Sequence, residues 1–550
     1  MAALAAGVGL IPGVAQAAPA QSDGHGATVP DLDLGLGKDA KSKGNTFTSP
    51  AERSVRTTLP TAKTGASAAP SVQSVAGNPD LAVALEGYGT SAHGIELDTT
   101  TTSADTALKV TIAWGDGQTD VVDAFGSTTL TTAHTYAEVG AYTVKVTVTD
   151  AANSASAVNE LAVVTPGSDF TPYTPTRLLD TRDGTGAVQG KVAPYSSTRV
   201  KVGGNGGIPA GVTAVALNIT VTNTTSGGHI TAFPEGTERP STSNVNFKAG
   251  QTVPNLVIVP VGKNGYVELA NRGSQSVDLI ADVTGYFSHT ASSGYTPITP
   301  ARFVDTREGL GTAQGQLPGR GTFSTQISGL RGVPQGIKAV ALNVTVTNPK
   351  QAGHLSVFPG GGAIPTASNL NFTAGQTVAN SVIVPVSADG KISVFNGAWS
   401  ATDVVVDVVG YYSTDSKSAF LPLTPERLLD TRDTATWDSG PLDGRNYIYM
   451  PLSYGEPSIT GFVMNSTVTN TNGNGFLTVA PDTNTMDDYD NGVAVRPTPP
   501  NSSNLNWTKG DTVPNLVQAS TGKNGIIDFW NQGWDDIDLV VDLFGLYQQG

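Results

Sequence analysis

The stretch that decides the fold is TPTRLLDTR, residues 174–182, because it occurs three times in the chain. It returns as TPARFVDTR at residues 299–307 and as TPERLLDTR at residues 424–432, so successive copies lie 125 residues apart. Solenoid repeats have periods of roughly 20 to 50 residues. A period of this length therefore indicates a whole domain that is repeated in tandem.

Further segments recur at matching places and extend the repeat over each domain. VALNITVTN at residues 215–223 matches VALNVTVTN at 340–348, and the third copy has VMNSTVTN at 463–470. A second shared segment, SN-x-N followed by an aromatic residue, lies at residues 243–247, 368–372 and 503–507. A third, D-x-x-G, closes the copies at residues 282–285, 407–410 and 542–545. Each copy contains about eight short alternating apolar runs broken by Gly, Pro or Asn, which predicts an all-β sandwich or jelly roll.

The composition agrees with many short strands and tight turns. The 550 residues include 64 Gly and 34 Pro, and only 14% are charged. Without Cys there is no disulfide framework, no thiol nucleophile and no cysteine-based metal site. A net charge of −15 argues against a nucleic-acid partner, because phosphate binding needs clustered Lys and Arg.

The N-terminal region predicts export. Residues 1–20 are apolar and contain Ala15-Gln16-Ala17, a small-residue cleavage pattern, although the basic start of a secretory signal is missing. We therefore expect a truncated signal at residues 1–20, followed by a disordered linker at 21–71. No other apolar run approaches the ~18 residues that span a bilayer, so no integral membrane segment is predicted.

A separate small β domain is expected at residues 72–166. WGDG at residues 114–117 follows an alternating strand pattern, and HTYAEVGAYTVKVTVTD occupies residues 134–150. These motifs resemble the PKD domain. The resemblance implies an immunoglobulin-like β-sandwich that serves as a spacer or surface-interaction module, without catalysis. We expect His134 to be a hydrogen-bonded sandwich residue rather than a catalyst or ligand.

The repeat itself resembles the RLLDTR-type repeat of secreted actinobacterial proteins, a likeness that is silent on mechanism. The predicted repeat domains cover residues 172–288, 295–413 and 420–550. Their short polar connections predict semi-rigid beads in an elongated molecule. The fold class is thus all-β: one Ig-like sandwich and three tandem β-sandwich or jelly-roll domains behind a disordered N-terminal segment.

The repeated Arg and Asp residues predict ion pairs between the first and last strands of each domain. Arg–carboxylate pairs of this kind fix strand register. A clamp for an anionic ligand is the alternative. The residues concerned are Arg177, Asp180, Arg182, Asp282, Arg302, Asp305, Arg307, Asp407, Arg427, Asp430, Arg432 and Asp542.

The third copy differs from the other two. Residues 421–550 contribute −10 of the net charge and contain four of the six Trp. Aromatic rings that stack on sugar faces, beside carboxylates and amides that bind hydroxyls, suit a sugar-binding site. The alternative is a hairpin whose aromatic residues cap the end of the sandwich. The candidate ligand-binding residues are Trp530, Asn531, Trp534, Asp535, Asp536, Phe395 and Trp399.

The third copy also has thirteen extra residues between Asn465 and Asn504. Asp487, Asp488 and Asp490 in this insertion are a weak candidate for a Ca²⁺ site, and a solvated acidic loop is the favoured interpretation. No other cofactor is expected.

No hydrolase, kinase or metalloprotease motif occurs, and tandem copies of a domain typically raise avidity. We therefore expect a non-enzyme: a secreted, extracellular binding or adhesion protein for polysaccharide or cell-envelope surfaces. Two alternatives stay open. One is a structural component of an extracellular matrix that has no small ligand, and the other is a secreted hydrolase that uses an unrecognised carboxylate pair.

Overall fold

The structure, a computed structural model, describes residues 22–30, 32–40, 44–59, 77–435, 437 and 439–550. The predicted signal at residues 1–20 lies outside these ranges. Apart from one short α-helix, α1 (Met486–Asp490), and a 3₁₀ turn at Ala51–Arg53, the regular elements described are strands. The predicted all-β class is confirmed. None of the described helices has the length and hydrophobicity required to cross a bilayer.

A two-residue strand, β1 (His25–Gly26), precedes the first sandwich in the chain. The sandwich strands are β2 (Thr46–Ser49), β3 (Val55–Thr58), β4 (Ala82–Gly89), β5 (Gly94–Thr102), β6 (Ala107–Ala113), β7 (Thr119–Phe125), β8 (Thr128–Thr135), β9 (Ala141–Asp150) and β10 (Ala155–Val164). They form two sheets, with strand orders β2-β4-β5-β8 and β3-β10-β9-β6-β7.

A disordered linker was predicted at residues 21–71, and this prediction is wrong for Thr46–Ser49 and Val55–Thr58, which form strands. β2 pairs with β4 and β3 pairs with β10, so both are edge strands of the first sandwich. These strands are short and polar, and they gain their stability from pairing rather than from their own hydrophobic pattern. Residues 60–71 of the predicted linker lie outside the described ranges.

Each repeat contains eight strands. Those of repeat 1 are β11 (Asp169–Asp180), β12 (Ser197–Lys201), β13 (Ala214–Thr222), β14 (Gly228–Pro234), β15 (Val245–Phe247), β16 (Val253–Pro260), β17 (Tyr266–Asn271) and β18 (Asp278–Ser288). Those of repeat 2 are β19 (Gly294–Asp305), β20 (Thr322–Gln326), β21 (Ala339–Thr347), β22 (Gly353–Pro359), β23 (Leu370–Phe372), β24 (Val378–Pro385), β25 (Lys391–Asn396) and β26 (Asp403–Ser413). Those of repeat 3 are β27 (Ser418–Asp430), β28 (Tyr447–Met450), β29 (Ile459–Thr469), β30 (Gly475–Pro481), β31 (Leu505–Trp507), β32 (Val513–Ser520), β33 (Ile527–Asn531) and β34 (Asp538–Gln549).

Each repeat is a jelly roll. In every copy the first, eighth, third and sixth strands form one sheet and the second, seventh, fourth and fifth form the other. We call these the inner sheet and the outer sheet. A single bridge between Tyr295 and Ser418 joins the inner sheets of repeats 2 and 3 into eight strands.

The three inner sheets face one another around a common axis. All nine residues of β13 are buried, because one face of the strand lies in the sandwich core and the other packs against the neighbouring repeats. Ala214 and Ala216 belong to a cluster that contains residues from all three copies, whereas Val215 and Leu217 belong to the core of repeat 1. The expectation of elongated, bead-like repeats is therefore wrong.

Asparagine side chains close the ring through buried hydrogen bonds. Asn255 of repeat 1 donates to Asn465 of repeat 3, Asn380 of repeat 2 donates to Asn218 of repeat 1, and Asn515 of repeat 3 donates to Asn343 of repeat 2, all at 2.9–3.0 Å. The Oδ1 atoms of the three donating residues also accept backbone N–H groups across the interfaces at 3.0–3.2 Å. The same contact thus occurs three times in one direction, which is the condition for a closed ring.

The glycine of the closing D-x-x-G segment lets an aromatic ring pack close to the backbone. A Cβ at Gly285 would lie 2.0 Å from the ring of Phe170, and one at Gly410 would lie 2.1 Å from the Tyr295 hydroxyl. These aromatic rings belong to the cluster shared by the three repeats. The repeated glycine is therefore required by the packing around the axis.

The first sandwich is docked on this ring. Ser168 and Phe420 exchange two backbone hydrogen bonds at 2.9 Å, and the amide N–H of Ala92 donates to Gln548 at 2.8 Å. An ion pair between Lys417 and Glu138, at 3.1 Å, lies at the same junction. The connection between sandwich and ring is thus a packed interface.

The described N-terminal residues run along repeat 3 towards the first sandwich. β1 adds in parallel to β28 and makes the outer sheet of repeat 3 five-stranded. Further along, Leu32 and Leu36 pack against the repeat 3 core. Lys38 then pairs with Asp98 of the first sandwich at 2.5 Å.

Candidate functional site

The repeated Arg and Asp residues form ion pairs between the first and last strands of every repeat. Arg177 donates from Nε and Nη2 to the two oxygens of Asp282 at 3.0 and 3.3 Å, and from Nη1 to Asp180 at 2.9 Å. Arg182 donates to the same Asp180. Corresponding ion pairs join Arg302 to Asp305 and Asp407, Arg307 to Asp305, Arg427 to Asp430 and Asp542, and Arg432 to Asp430.

These carboxylates have two distinct environments. Burial raises the pKa of Asp282, Asp407 and Asp542. The hydrogen bond from Arg182 lowers the pKa of Asp180, and Arg307 does the same for Asp305. The two guanidinium charges of each motif are thus matched by two carboxylates, which favours the structural interpretation over an anion clamp.

The buried carboxylates also bind the neighbouring repeat. The backbone N–H of Ser503 in repeat 3 donates to Asp407 of repeat 2, and that of Ser243 in repeat 1 donates to Asp542 of repeat 3. Both Ser residues open the shared SN-x-N segment. The D-x-x-G and SN-x-N segments therefore meet across the ring interfaces.

Two tryptophans project from equivalent hairpins of repeats 2 and 3. Trp399 is 82% exposed and Trp534 is 80% exposed. The guanidinium carbon of Arg320 lies 5.5 Å from the centre of the Trp399 ring, and that of Arg445 lies 4.9 Å from the Trp534 ring. Cation–π contacts at exposed sites contribute roughly 0.5–1 kcal/mol and so favour this placement of the rings.

A buried asparagine fixes each of these hairpins. Asn531 donates from Nδ2 to the carbonyls of Leu442, Asp443 and Asp535, and its Oδ1 accepts the N–H of Gly533. Asn396 makes the corresponding bonds in repeat 2. The proposed ligand-binding role of Asn531 is therefore wrong, because its amide group is fully used inside the protein.

The other candidates of this group separate into exposed and buried residues. Asp535 and Asp536 are exposed beside Trp534. Trp530 is only 3% exposed and Phe395 only 4%, so neither offers a free stacking face in this structure. Their prediction as exposed ligand platforms is wrong, because Tyr447 and Arg496 cover the Trp530 ring and Arg320 lies over the Phe395 ring.

The outer sheet of repeat 3 carries a group of side chains that the sequence pattern did not bring together. Tyr447 stacks on Trp530 with ring centres 4.2 Å apart, and Tyr449 stacks on Tyr489 at 3.7 Å. The guanidinium of Arg496 lies over the Tyr447 and Trp530 rings. We call this region the repeat 3 cleft, formed by Tyr447, Tyr449, Tyr489, Arg496, Asp528 and Trp530.

A pair of buried carboxylates lies within the cleft. Burial, followed by the nearby carboxylate of Asp482, raises the pKa of Asp528 well above its usual range. Asp482 accepts hydrogen bonds from the Asn484 amide groups and from the hydroxyl of Tyr489. The Asp528 Oδ1 atom is buried and has no hydrogen-bond partner.

The acidic insertion folds into α1 and forms one wall of this cleft through Tyr489. The Asp488 carboxylate accepts from the backbone N–H and the hydroxyl of Thr485, so it caps the helix. In the part of the chain that the structure describes, no group of three His, Asp or Glu side chains converges as a metal site would require. The candidate Ca²⁺ set of Asp487, Asp488 and Asp490 is therefore not brought together.

In the first sandwich, the residues of the WGDG and HTY motifs contact one another. Trp114 and His134 stack with ring centres 4.6 Å apart, and His134 Nε2 lies 2.9 Å from the Asp116 carboxylate. The Tyr136 hydroxyl donates to the Trp114 carbonyl at 3.0 Å. Residues 88–163 match the PKD domain family. The resemblance of this segment to the PKD domain is thus confirmed, and His134 is hydrogen-bonded within the sandwich as expected.

Comparison with other proteins adds little beyond this match. No curated protein matches the chain. A structure titled "The Triple Jelly Roll Fold and Turret Assembly in an Archaeal Virus" is similar at 11% identity and a TM-score of 0.16, covering 70% of this chain and 90% of that one. A SusE-like protein has 10% identity and a TM-score of 0.12 over 38% of this chain and 97% of its own. A structure of PNGF-II has 9% identity and a TM-score of 0.13, covering 80% of this chain and 97% of its own. Scores this low carry no argument about function.

Sequence reasoning missed the tyrosines of the cleft. Tyr447 and Tyr449 occupy places where repeat 1 has Ser197 and Arg199, as the pairing of β28 with β33 and of β12 with β17 shows. A comparison of the second strands among the repeats would have revealed the change. No sequence pattern indicates that residues 25–26 pair with β28 of repeat 3.

Proposed function

We propose that this protein is an extracellular attachment protein that binds polysaccharide or cell-envelope surfaces through exposed aromatic side chains on a rigid ring. The observation that carries the proposal is the pair Trp399 and Trp534. Tryptophan combines a large apolar face with a polar N–H group and is enriched at recognition interfaces for that reason. The predicted signal and the PKD domain support export.

The ring arrangement makes the two tryptophans suitable for simultaneous binding. Equivalent hairpins of a closed ring face the same end of the molecule. Two weak contacts on one rigid body reinforce each other through a high effective concentration at a repetitive surface. Repeat 1 has Ser274 at this place, so it contributes no aromatic ring to the set.

The proposal is for binding rather than catalysis. Asp482 and Asp528 are neighbouring carboxylates of the type that a hydrolase would use, but both are buried. We assign them to the repeat 3 cleft. A structural matrix role without a polysaccharide ligand is the alternative that the following experiment separates.

The test is sedimentation with insoluble cellulose, chitin and purified peptidoglycan, using the full chain. Trp399→Ala or Trp534→Ala is expected to weaken binding roughly tenfold, and the double variant by at least about a hundredfold, because both contacts contribute to avidity. Phe125→Ala, which removes an exposed aromatic ring of the first sandwich, is the matched control. Absence of binding to every surface by the parent protein would favour the matrix role.

A further inference from the structure

The three repeats differ most on their outer sheets. In β28 and β33 the opposed pair Tyr447–Trp530 replaces Ser197–Ala270 of repeat 1 and Thr322–Phe395 of repeat 2. Two residues further along the same strands, the opposed pair Tyr449–Asp528 replaces Arg199–Glu268 of repeat 1 and Ser324–Ser393 of repeat 2. Repeat 3 alone also carries the inserted loop with Tyr489 and Arg496. An aromatic, hydrogen-bonding surface has thus been built on one copy of an otherwise shared framework.

The protein's own N-terminal residues fill this surface. Residues 25–26 pair with the edge of β28, and the backbone N–H groups of Ser22 and Ala27 donate to the carbonyls of Ala494 and Tyr449 at 2.9 Å. Among the described residues, the outer sheets of repeats 1 and 2 have no added strand of this kind. The occupied sheet edge therefore coincides with the specialised face.

Polar groups of the segment bind the groups that would recognise a ligand. The Ser22 hydroxyl bonds to the hydroxyl of Tyr447, and the Asp23 carboxylate pairs with Arg496. Gly24 lies on the Tyr447 ring so closely that a Cβ would be 2.2 Å from it. An extended chain carrying oxygen atoms, in contact with aromatic faces, is thus the shape and chemistry that the cleft accommodates.

The cleft also contains an unused hydrogen-bonding atom. Asp528 is 1% exposed and its Oδ1 has no partner, whereas nearly all buried polar atoms in proteins have one. A ligand hydroxyl is a partner of the right kind. Asp487, Asp488 and Asp490 of the acidic helix α1 provide more negative charge than Arg496 offsets, which disfavours a polyanion.

We propose that residues 22–26 are a built-in occupant of a binding cleft on the outer sheet of repeat 3, and that the cleft takes a neutral polysaccharide chain when this segment leaves. Aromatic faces would stack on the sugar rings, while Arg496 and Asp528 would bind hydroxyls. This site is separate from Trp399 and Trp534. Its failure would leave their proposed role untouched.

Two variants of the full chain test the proposal. Gly24→Val forces the segment off the Tyr447 ring, and deletion of residues 1–26 removes it. Gly77→Val is the matched control, because a Cβ there meets no atom within 4 Å. Binding is measured by affinity electrophoresis and calorimetry with dextran, xylan, xyloglucan and mixed-linkage β-glucan, with polygalacturonate as the polyanion, and hydrogen exchange of the β28 backbone reports whether the segment has left the sheet edge.

Both opened variants are expected to bind at least one neutral polysaccharide at least tenfold more tightly than the parent and Gly77→Val. Addition of Arg496→Ala should reverse the gain, whereas addition of Trp534→Ala should not. The proposal is overturned if the deletion variant binds none of the neutral polysaccharides more tightly than the parent. Preferential binding of polygalacturonate, or a gain that survives Arg496→Ala, would overturn it as well.

Discussion

Repeats 2 and 3 are alike where they face the axis and unlike on their outer sheets. Asn343 and Asn465 occupy the same place in the ring and accept the same hydrogen bond from a neighbouring repeat. On the outer sheet, by contrast, Thr322 and Phe395 correspond to Tyr447 and Trp530. The repeated motifs therefore serve assembly of the ring, whereas the residues that differ between the repeats lie on their outer sheets.

The largest loss of stability is expected from an axis-facing ion pair. Asp407→Ala leaves Arg302 without its main partner, and breaking such a pair costs about 4 kcal/mol. Asp407 is 1% and Arg302 15% exposed at the side chain. Urea unfolding followed by near-ultraviolet circular dichroism measures the loss.

Glu160→Ala is the control for this experiment, because it removes an ion pair with Lys145 in which both side chains are more than half exposed. Exposed pairs contribute only ~0–1 kcal/mol. Equal losses in the two variants would contradict the assignment of the repeated Arg and Asp residues to the framework.

A smaller loss is expected from overpacking beside the axis. Gly410→Val places a side chain against the Tyr295 ring, and overpacking of this kind costs about 2 kcal/mol. Gly77→Val, in open space, should leave the unfolding midpoint unchanged. Unfolding of Gly410→Val at the parent's midpoint would contradict the packing requirement for the D-x-x-G glycine.

The strands of the repeats were predictable because their sequence pattern is local. The ring was not, because Ala214, Ala216 and Asn218 resemble ordinary core and edge residues until the neighbouring repeat is in place. A strand buried on both faces differs from a one-sided strand only in the side chains of its second face. The short linkers predicted an elongated arrangement because they restrict only repeats that are adjacent in sequence. They carry no information about the contact between repeats 1 and 3.

The candidate site was predictable only in part for a similar reason. Trp534 and Trp399 lie at turns, where a large side chain has little to bury it, and both are exposed as expected. Trp530 lies on a strand, and its burial depends on Tyr447 and Arg496, which are distant in sequence. No local pattern contains that information.

The junction between the first sandwich and the ring should respond to pH. Burial, followed by the charge of Glu138, raises the pKa of Asp169 to about 7, while Lys417 acts in the opposite direction. The folded state therefore holds a proton that the unfolded state loses near pH 4. The contribution of Asp169 to the free energy of unfolding therefore falls as the pH rises from about 4 to 7, and it is constant above that range.

Asp169→Asn should remove this dependence, so the difference in melting temperature between variant and parent grows from pH 4 to pH 7. Differential scanning calorimetry across this range measures it. A constant difference would show that the carboxyl group has an ordinary pKa.

The smallest effect on stability is expected on the exposed hairpins. Trp534→Ala should change the free energy of unfolding by no more than about 0.5 kcal/mol, as is usual for exposed positions. The same variant is expected to weaken surface binding, so stability and binding separate at this residue. A large loss of stability would place Trp534 in the framework instead.

The most direct test of the closed ring is zero-length carbodiimide cross-linking of the full chain. Lys248 of repeat 1 and Asp511 of repeat 3 are 3.2 Å apart, although they are 263 residues apart in sequence. The ring predicts an amide bond between these two side chains in the monomeric fraction, detected by mass spectrometry and absent in Lys248→Gln. Cross-links confined to sequence-adjacent repeats would contradict the ring and restore the elongated arrangement.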